Sequence, residues 1–403
     1  MLSILSTNRK PSEPVTLKAQ ESFRKLLARK DLGYLQIQDR QHLWFETQAR
    51  GNQLKSMTQE MVIVGIGGSS LGPRAIDEVL ENPTRPQKLY FCDNVDSLEF
   101  ARLLQRLKNP QKAAWVFVSK SGSTIETLLS LDFIFQKVNP DLKCCTIVSE
   151  KKSSPLVEWA QKHQVAHLEI PLDIGGRFSV FTAVGMLPAA FLGLDLEAFR
   201  RGIQKAVQQT ALVTDLAAQA WASFERKEWI TFFWFYSSSH RFFGGWLQQL
   251  WAESLAKRED LHGKPAPQVS FPVGAIGAND QHSVLQQLME GARDKWIVFT
   301  RFSDSEMGEA LQKSHFSDYA FMQGKTLGQL LGSEAQATAE ALASEGASVL
   351  TLKLESSQEE GLAYLMMTWM LVVGTLGEML ELNAYNQPGV ELGKRLAKQI
   401  LNS

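Results

Sequence analysis

From Met61 onward the chain alternates short apolar runs with amphipathic stretches, and this alternation restricts the fold more than any other feature. Runs near 61–66, 88–92, 114–118 and 144–148 read as strands, and the segments between them repeat apolar residues at helical spacing. That rhythm predicts a parallel sheet covered by helices on both faces. The plan then recurs. "EWITFFWFYSSS" (228–239), "KWIVFTRF" (295–302) and "SVLTLKL" (348–354) read as strands, separated by the helical patterns "FFGGWLQQLWAESLAKR" and "TLGQLLGSEAQATAEALA". "VGMLPAAFLGLDLEAFRRGIQKAV" reads as a helix carried across the boundary between the blocks. In both blocks a strand ends in clustered serines that lead into a helix, "VFVSKSGST" and "FFWFYSSSH", which suggests two related α/β units.

A chain of 403 residues, 44% hydrophobic and 21% charged, has the length and apolar content for two such domains. The boundaries fall at 58–190 and 191–403. Residues 1–57, polar and with helical spacing around "ESFRKLLARKDL", are expected to form a helical segment packed on the body. A formal net charge of -1 gives no long-range attraction for nucleic acid or an anionic membrane, so an anionic ligand has to be caught locally. The cysteines, Cys92, Cys144 and Cys145, are odd in number, and adjacent Cys144 and Cys145 are poorly placed to bond each other in an extended strand, which points to a reducing cytoplasm. The opening "MLSILSTNRK" has its basic residues after a very short apolar piece, the reverse of a secretory signal. The uncharged run from Leu362 to Gly377 is shorter than the ~20 apolar residues of a membrane span and reads as a buried helix.

Chemistry concentrates at a few turns. Ser119, Lys120, Ser121, Ser123 and Thr124 sit where a strand opens into a helix. A helix start presents unpaired N–H groups and the positive end of the helix dipole, so phosphate is its natural guest, and hydroxyls add donors without fixed charge. One hydroxyl would be explained by helix capping alone. This many, with a lysine, favour a phosphate cradle. The earlier turn "VGIGGSSLGP" holds Gly65 and Gly67 after a strand, but Ser70 stands where a dinucleotide fingerprint needs its third glycine, and no P-loop pattern is present. What remains is a glycine-rich turn able to bring backbone close to a small polar ligand.

Four charged or titratable groups stand out elsewhere. Glu253 follows Gln249 by four residues, so both share one face of a largely apolar helix, where a carboxylate can serve as a general base. Spacing alone favours the plainer alternative, a surface pair of Glu253 with Lys257. His282 begins the helical stretch "NDQHSVLQQLMEG", where the dipole disfavours imidazolium, with Asn279 or Asp280 as cap. Arg177 follows a glycine pair in "DIGGRFSVFTAVG" and reads either as an arginine held by close-packed backbone or as one in a surface turn. Lys394, in "NQPGVELGKRLAKQIL", reads from periodicity as a solvated lysine. No His, Cys or carboxylate spacing indicates a metal site.

Taken together, "VGIGGSSLGP", "VFVSKSGSTIET", "DIGGRFSVFTAVG", "GGWLQQLWAESLAK", "GANDQHSVLQQLMEG" and "NQPGVELGK" resemble the glucose-6-phosphate isomerase family in its own order, over most of the chain from about Met61. The resemblance implies two sugar-isomerase-type (SIS) doubly wound α/β domains, each a mainly parallel sheet sandwiched by helices, in a cytoplasmic homodimer that needs no cofactor and no metal. It implies reversible isomerisation of glucose 6-phosphate and fructose 6-phosphate in glycolysis and gluconeogenesis. The family's phosphate site falls on Ser119, Lys120, Ser121 and Thr124, with Gly68 and Ser69 beside the sugar. Glu253 matches the base, Gln249 and Gln387 match ligand-contacting glutamines, and Arg177 matches the arginine near the enediol oxygens. His282 and Lys394 match the pair that opens the sugar ring, with His282 reaching the site from the neighbouring subunit. A non-catalytic sugar-phosphate-binding regulator on the same domains is the alternative from another class, but it has no need of Glu253, His282 and Lys394 together.

Overall fold

The computed structural model describes residues 1–387, 389 and 391–402. Its strands are β1 (Leu2–Thr7), β2 (Glu60–Val64), β3 (Lys88–Cys92), β4 (Ala114–Val118), β5 (Cys145–Ser149), β6 (Ala166–Glu169), β7 (Ile230–Phe235), β8 (Phe271–Ile276), β9 (Lys295–Phe302) and β10 (Ser348–Leu354). They form two five-stranded sheets, ordered β3-β2-β4-β5-β6 and β1-β10-β9-β7-β8. All pairings are parallel except that of β1 with β10.

Read from β8, the second sheet repeats the strand order of the first: β7, β8, β9 and β10 take the places of β2, β3, β4 and β5. The duplication expected from the sequence is therefore present in the topology. The serine match that suggested it, however, pairs strands that are not equivalent. β4, which ends in the first serine cluster, corresponds to β9, whereas the second cluster follows β7, the counterpart of β2. The fifth place differs too. β6 fills it in the first sheet, and β1 fills it in the second, so the segment 1–57, expected to be helical, opens on a strand that completes the far sheet before its helices Glu13–Ala28 and Gln41–Met57.

Side-chain alternation along the strands sorts the interior. Met61, Ile63, Val116 and Val118 of the first sheet join Phe233, Phe235, Val298 and Leu350 of the second in one large core. Their neighbours face outward beneath separate helix layers: Val62, Val64, Trp115 and Phe117 in one cluster, and Phe232, Trp234, Ile297 and Phe299 in another. Burial on both faces explains why these strands read as continuous apolar runs rather than as alternating ones.

The helix Glu359–Met379 belongs to the shared core. It is long and apolar enough to cross a membrane by composition, yet 94% of its most apolar window is buried inside the chain. The single helix expected across the boundary is two helices, Ala183–Leu192 and Leu196–Val207. Gly193, at φ +78°, ends the first in the left-handed region, and the Asp195 carboxylate accepts the N–H groups of Glu197 and Ala198 to cap the second.

Candidate active site

In the first sheet the chain passes from β2 to β3 on one side and returns to β4 on the other, which leaves a crevice beyond the carboxyl ends of β2 and β4, where open α/β sheets bind ligands. The two turns at its mouth are the glycine-rich turn and the serine cluster.

The serine cluster is not consumed by capping. Thr124 occupies the N-cap position of the helix Ile125–Lys137, but its side chain makes no capping bond. Instead its hydroxyl meets that of Ser119 at 2.8 Å, and the Ser119 side chain is buried. Ser121 is exposed and accepts from the Ser123 hydroxyl at 3.0 Å. The Lys120 ammonium lies 3.3 Å from Glu150, just past β5. The start of the helix thus stands at the crevice mouth beside hydroxyls whose bonds run to one another and to the N–H groups of Ser123 and Thr124.

The glycine-rich turn is pressed against the rest of the site. Gly67 has φ +60°, and a Cβ there would lie 2.8 Å from Gln249 Nε2. A Cβ on Gly68 would come within 2.5 Å of the Gly176 carbonyl oxygen, in the turn that carries Arg177. Absence of a side chain at both positions lets three separate segments meet. Ser69 is half-buried beside them.

Arg177 is the centre of the arrangement. Its side chain is only 1% exposed, and all five guanidinium N–H donors are engaged. Nε donates to Ser254 Oγ at 2.7 Å, Nη1 to Glu253 Oε2 at 3.2 Å and to Gln387 Oε1 at 2.8 Å, and Nη2 to the carbonyls of Ala384 and Asn386. Burial pulls its pKa below the ordinary value, and the Glu253 carboxylate opposes that shift. Glu253 accepts on its other oxygen from Gln249 Nε2 at 3.0 Å, while Gln249 Oε1 is buried without a partner among the described residues.

The surface pair of Glu253 with Lys257 does not form. The Lys257 ammonium bonds the backbone carbonyl of Glu253, not its carboxylate. Nor is Arg177 in a surface turn. Arg177, Gln249, Glu253 and Gln387 form one hydrogen-bonded group, with Gly68 packed against its edge.

His282 stands apart. It is exposed on the first turn of the helix Gln281–Glu290, and no hydrogen bond joins it to the Arg177–Glu253 group among the described residues. Asp280 holds the N-cap position, but its carboxylate accepts from Ile276 N and the Ser283 hydroxyl rather than capping the helix. Lys394 falls within the helix Glu391–Asn402, and its side chain lies outside the described residues.

Sequence reasoning missed Ser254, fully buried and bonded to Arg177, and the carbonyls of Ala384 and Asn386. A hydroxyl next to Glu253 on an otherwise apolar helix face was the available signal for the first; carbonyl acceptors leave none. Among the described residues no three metal-ligating side chains come together.

Comparison with known proteins identifies the family. A family model described as phosphoglucose isomerase matches residues 37–403. Glucose-6-phosphate isomerase of Campylobacter jejuni is 32% identical over 381 residues, covering 93% of each chain. That of Thermus thermophilus is 33% identical over 401 residues, covering 95% of this chain and 94% of its own. A solved structure of a hypothetical protein from Thermus thermophilus superposes with a TM-score of 0.88 at 31% identity, over 97% of each chain. Tagatose-6-phosphate ketose/aldose isomerase from Escherichia coli shares the fold, with a TM-score of 0.57 at 13% identity over 95% of this chain and 98% of its own. The two-domain sugar-isomerase-type α/β fold expected from the sequence is the one found, and the chain belongs to the phosphoglucose isomerase family.

Proposed function

We propose that this chain interconverts glucose 6-phosphate and fructose 6-phosphate, the isomerisation shared by glycolysis and gluconeogenesis, with Glu253 as the base that carries the proton between C2 and C1. The observation that carries this reading is the Arg177–Glu253 pair. It sets a carboxylate beside a fixed cation, at the edge of a crevice suited to phosphate.

Aldose–ketose isomerisation removes a weakly acidic C–H proton next to a carbonyl, so it needs a positioned base and stabilisation of the enediolate. Glu253 takes the C2 proton, the C–H electron pair forms the C1=C2 bond, and the carbonyl electrons move onto O1. Return of the proton to C1, with transfer of a proton from O2 to O1, completes the ketose. Arg177 supplies the charge that the oxyanion requires. Its donors are all engaged, so a substrate oxygen gains one only by exchange with the more accessible partners, Gln387 or Glu253.

Ser119, Lys120, Ser121 and Thr124 hold the phosphate, Gly68 and Ser69 border the sugar, and Gln249 and Gln387 contact its hydroxyls. Phosphate binding away from C1 and C2 supplies energy that holds the open chain in place. His282 and Lys394 open the ring. In this reading the enzyme works in the cytoplasm as a homodimer, and His282 serves the neighbouring subunit's site. The unpaired state of Cys92, Cys144 and Cys145 fits a reducing compartment.

The test is to mix purified protein with fructose 6-phosphate and follow glucose 6-phosphate. Approach to equilibrium from either sugar is expected. No conversion by folded protein would overturn the reading.

A further inference from the structure

The helix Arg241–Leu255 ends just after Glu253, so the Glu253 carbonyl is among the last four, which have no partner within the helix. Lys257, half-buried one turn later, donates to that carbonyl at 2.7 Å. A lysine there suits the negative end of the helix dipole, and taken alone the contact is a helix cap. The second contact goes further. The same ammonium donates at 2.6 Å to the carbonyl of Asn386, outside the helix, and Arg177 Nη2 donates to that same oxygen at 3.1 Å. Asn386 precedes Gln387, which accepts from Arg177 Nη1. One carbonyl is therefore held from two sides by two cations, between the base and the segment that completes the site.

We propose that Lys257 is a positioning residue for the isomerisation, its ammonium tying the backbone of Glu253 to that of Asn386 and so setting the base against Arg177 and Gln387. This rests on the reading of Glu253 as the base. Lys257 touches neither substrate nor the reacting atoms. It acts through the distance it fixes, and small misplacement of a base costs rate steeply.

The charge of Lys257 is poised to matter. Burial, then the Arg177 guanidinium, lower its pKa to about 8, and Glu253 partly opposes them. Arg177 faces it from the turn Gly176–Phe178 and Glu253 from its own helix, while in the third segment the Tyr385 hydroxyl turns away to Tyr34 at 3.4 Å. Hydrogen bonds from a charged donor are about twice as strong as those from a neutral one, so deprotonation slackens the tie without removing it. An alkaline decline in kcat with a midpoint near the lysine's own titration follows.

The experiment compares Lys257→Met and Lys257→Arg with the unsubstituted enzyme, using fructose 6-phosphate. Lys257→Met is expected to lower kcat at least about tenfold near pH 7 while KM changes by less than about threefold, because the phosphate cradle stands on a separate segment, just past the end of β4. Arginine keeps its charge, so Lys257→Arg is expected to move the alkaline limb of kcat up by at least about one pH unit. A kcat for folded Lys257→Met within about threefold of the parent overturns the proposal. If Lys257→Met does not fold, the Lys257→Arg profile decides, and an alkaline limb at the parent's pH overturns it. Failure of the underlying functional reading looks different, since the parent itself would then produce no glucose 6-phosphate.

Discussion

Arg177 Nη1 and Glu253 Oε2 meet at 3.2 Å, the arginine from the turn that follows the first sheet and the carboxylate from a helix of the second half. Neither half of the chain holds this pair alone. Arg177 is buried, and losing a partner from a buried cation is costly, but here four further acceptors keep the guanidinium in place.

That redundancy makes Glu253→Gln a clean probe. The amide oxygen can still accept from Arg177 but cannot take a proton from carbon. Isomerisation is expected to fall by ~10²–10⁴-fold or more, the usual cost of losing a general base. Exchange of the C2 proton with solvent should disappear with it, while the melting temperature and substrate binding stay near the parent's. Turnover within a few-fold of the parent would show that Glu253 is not the base.

The phosphate cradle is tested at its hydrogen-bonded pair. Ser119 and Thr124 bond each other, so a ligand that enters between them finds both hydroxyls already oriented. Replacing both with alanine should weaken fructose 6-phosphate and a five-carbon phosphorylated inhibitor by similar factors, on the order of tenfold, since each lost hydrogen bond to a charged group is worth about 1.5–3 kcal/mol and water makes up part of the loss. Calorimetric titration of both ligands checks it. Unchanged affinity for both would remove the phosphate from this turn.

What could be read from the sequence follows from how each residue is surrounded. β2, β4, β7, β9 and β10 announce themselves because the interior strands of both sheets are buried on two faces. The strands that escaped notice, β1, β6 and β8, all lie at sheet edges. β8 falls in "SFPVGAIGAND", a stretch whose Gly and Ala content reads as loop-like and which also holds Pro272 and Gly274. An edge strand tolerates the proline, and the glycine packs where a Cβ would sit 3.2 Å from the Gly244 Cα. Within the site, residue types carried the signal but pairings did not. Glu253 lies four residues from both Gln249 and Lys257, and periodicity cannot tell which neighbour takes the carboxylate. The answer depends on Arg177, which is distant in sequence and arrives only through the packing of Gly68 against Gly176.

His240 gives the protein an acid-sensitive side. Its ring is 1% exposed, stacks on Phe302 at 3.6 Å between centroids, and leaves Nε2 unpartnered among the described residues. Burial drops its pKa from 6.5 to about 3. Between those values the unfolded chain binds a proton that the folded chain refuses, so stability falls as pH drops through the window, by up to ~1.4 kcal/mol per pH unit. Asp77 works the other way. Burial lifts its pKa from 3.8 to about 6, so the folded chain takes up that proton first and gains stability on acidification below about 6. The His240 loss should therefore be clearest between about pH 6.5 and 6 and partly masked below. Thermal unfolding of the parent and of His240→Phe across about pH 5 to 7 checks this, with a shallower acid slope expected for the variant. Parallel slopes would exclude His240 as the source.

The last prediction concerns where the site's histidine comes from. His282 is exposed at the start of its helix, and no bond ties it to the Arg177–Glu253 group among the described residues. The proposed homodimer takes the histidine of each site from the neighbouring subunit and the base from the subunit that holds the phosphate. Two inactive proteins can then rescue each other. Mix a Glu253→Gln dimer with a His282→Ala dimer and let subunits exchange. In the heterodimer one site collects both defects, and the other pairs an intact Glu253 with an intact His282. A population fully exchanged from equal amounts is half heterodimer, with one good site of two in each, so activity should rise to about a quarter of the parent's. Exchange is followed by native mass measurement and activity by conversion of fructose 6-phosphate. If heterodimers form and activity stays at the level of the two variants, Glu253 and His282 of one site come from the same chain, and the shared arrangement is wrong.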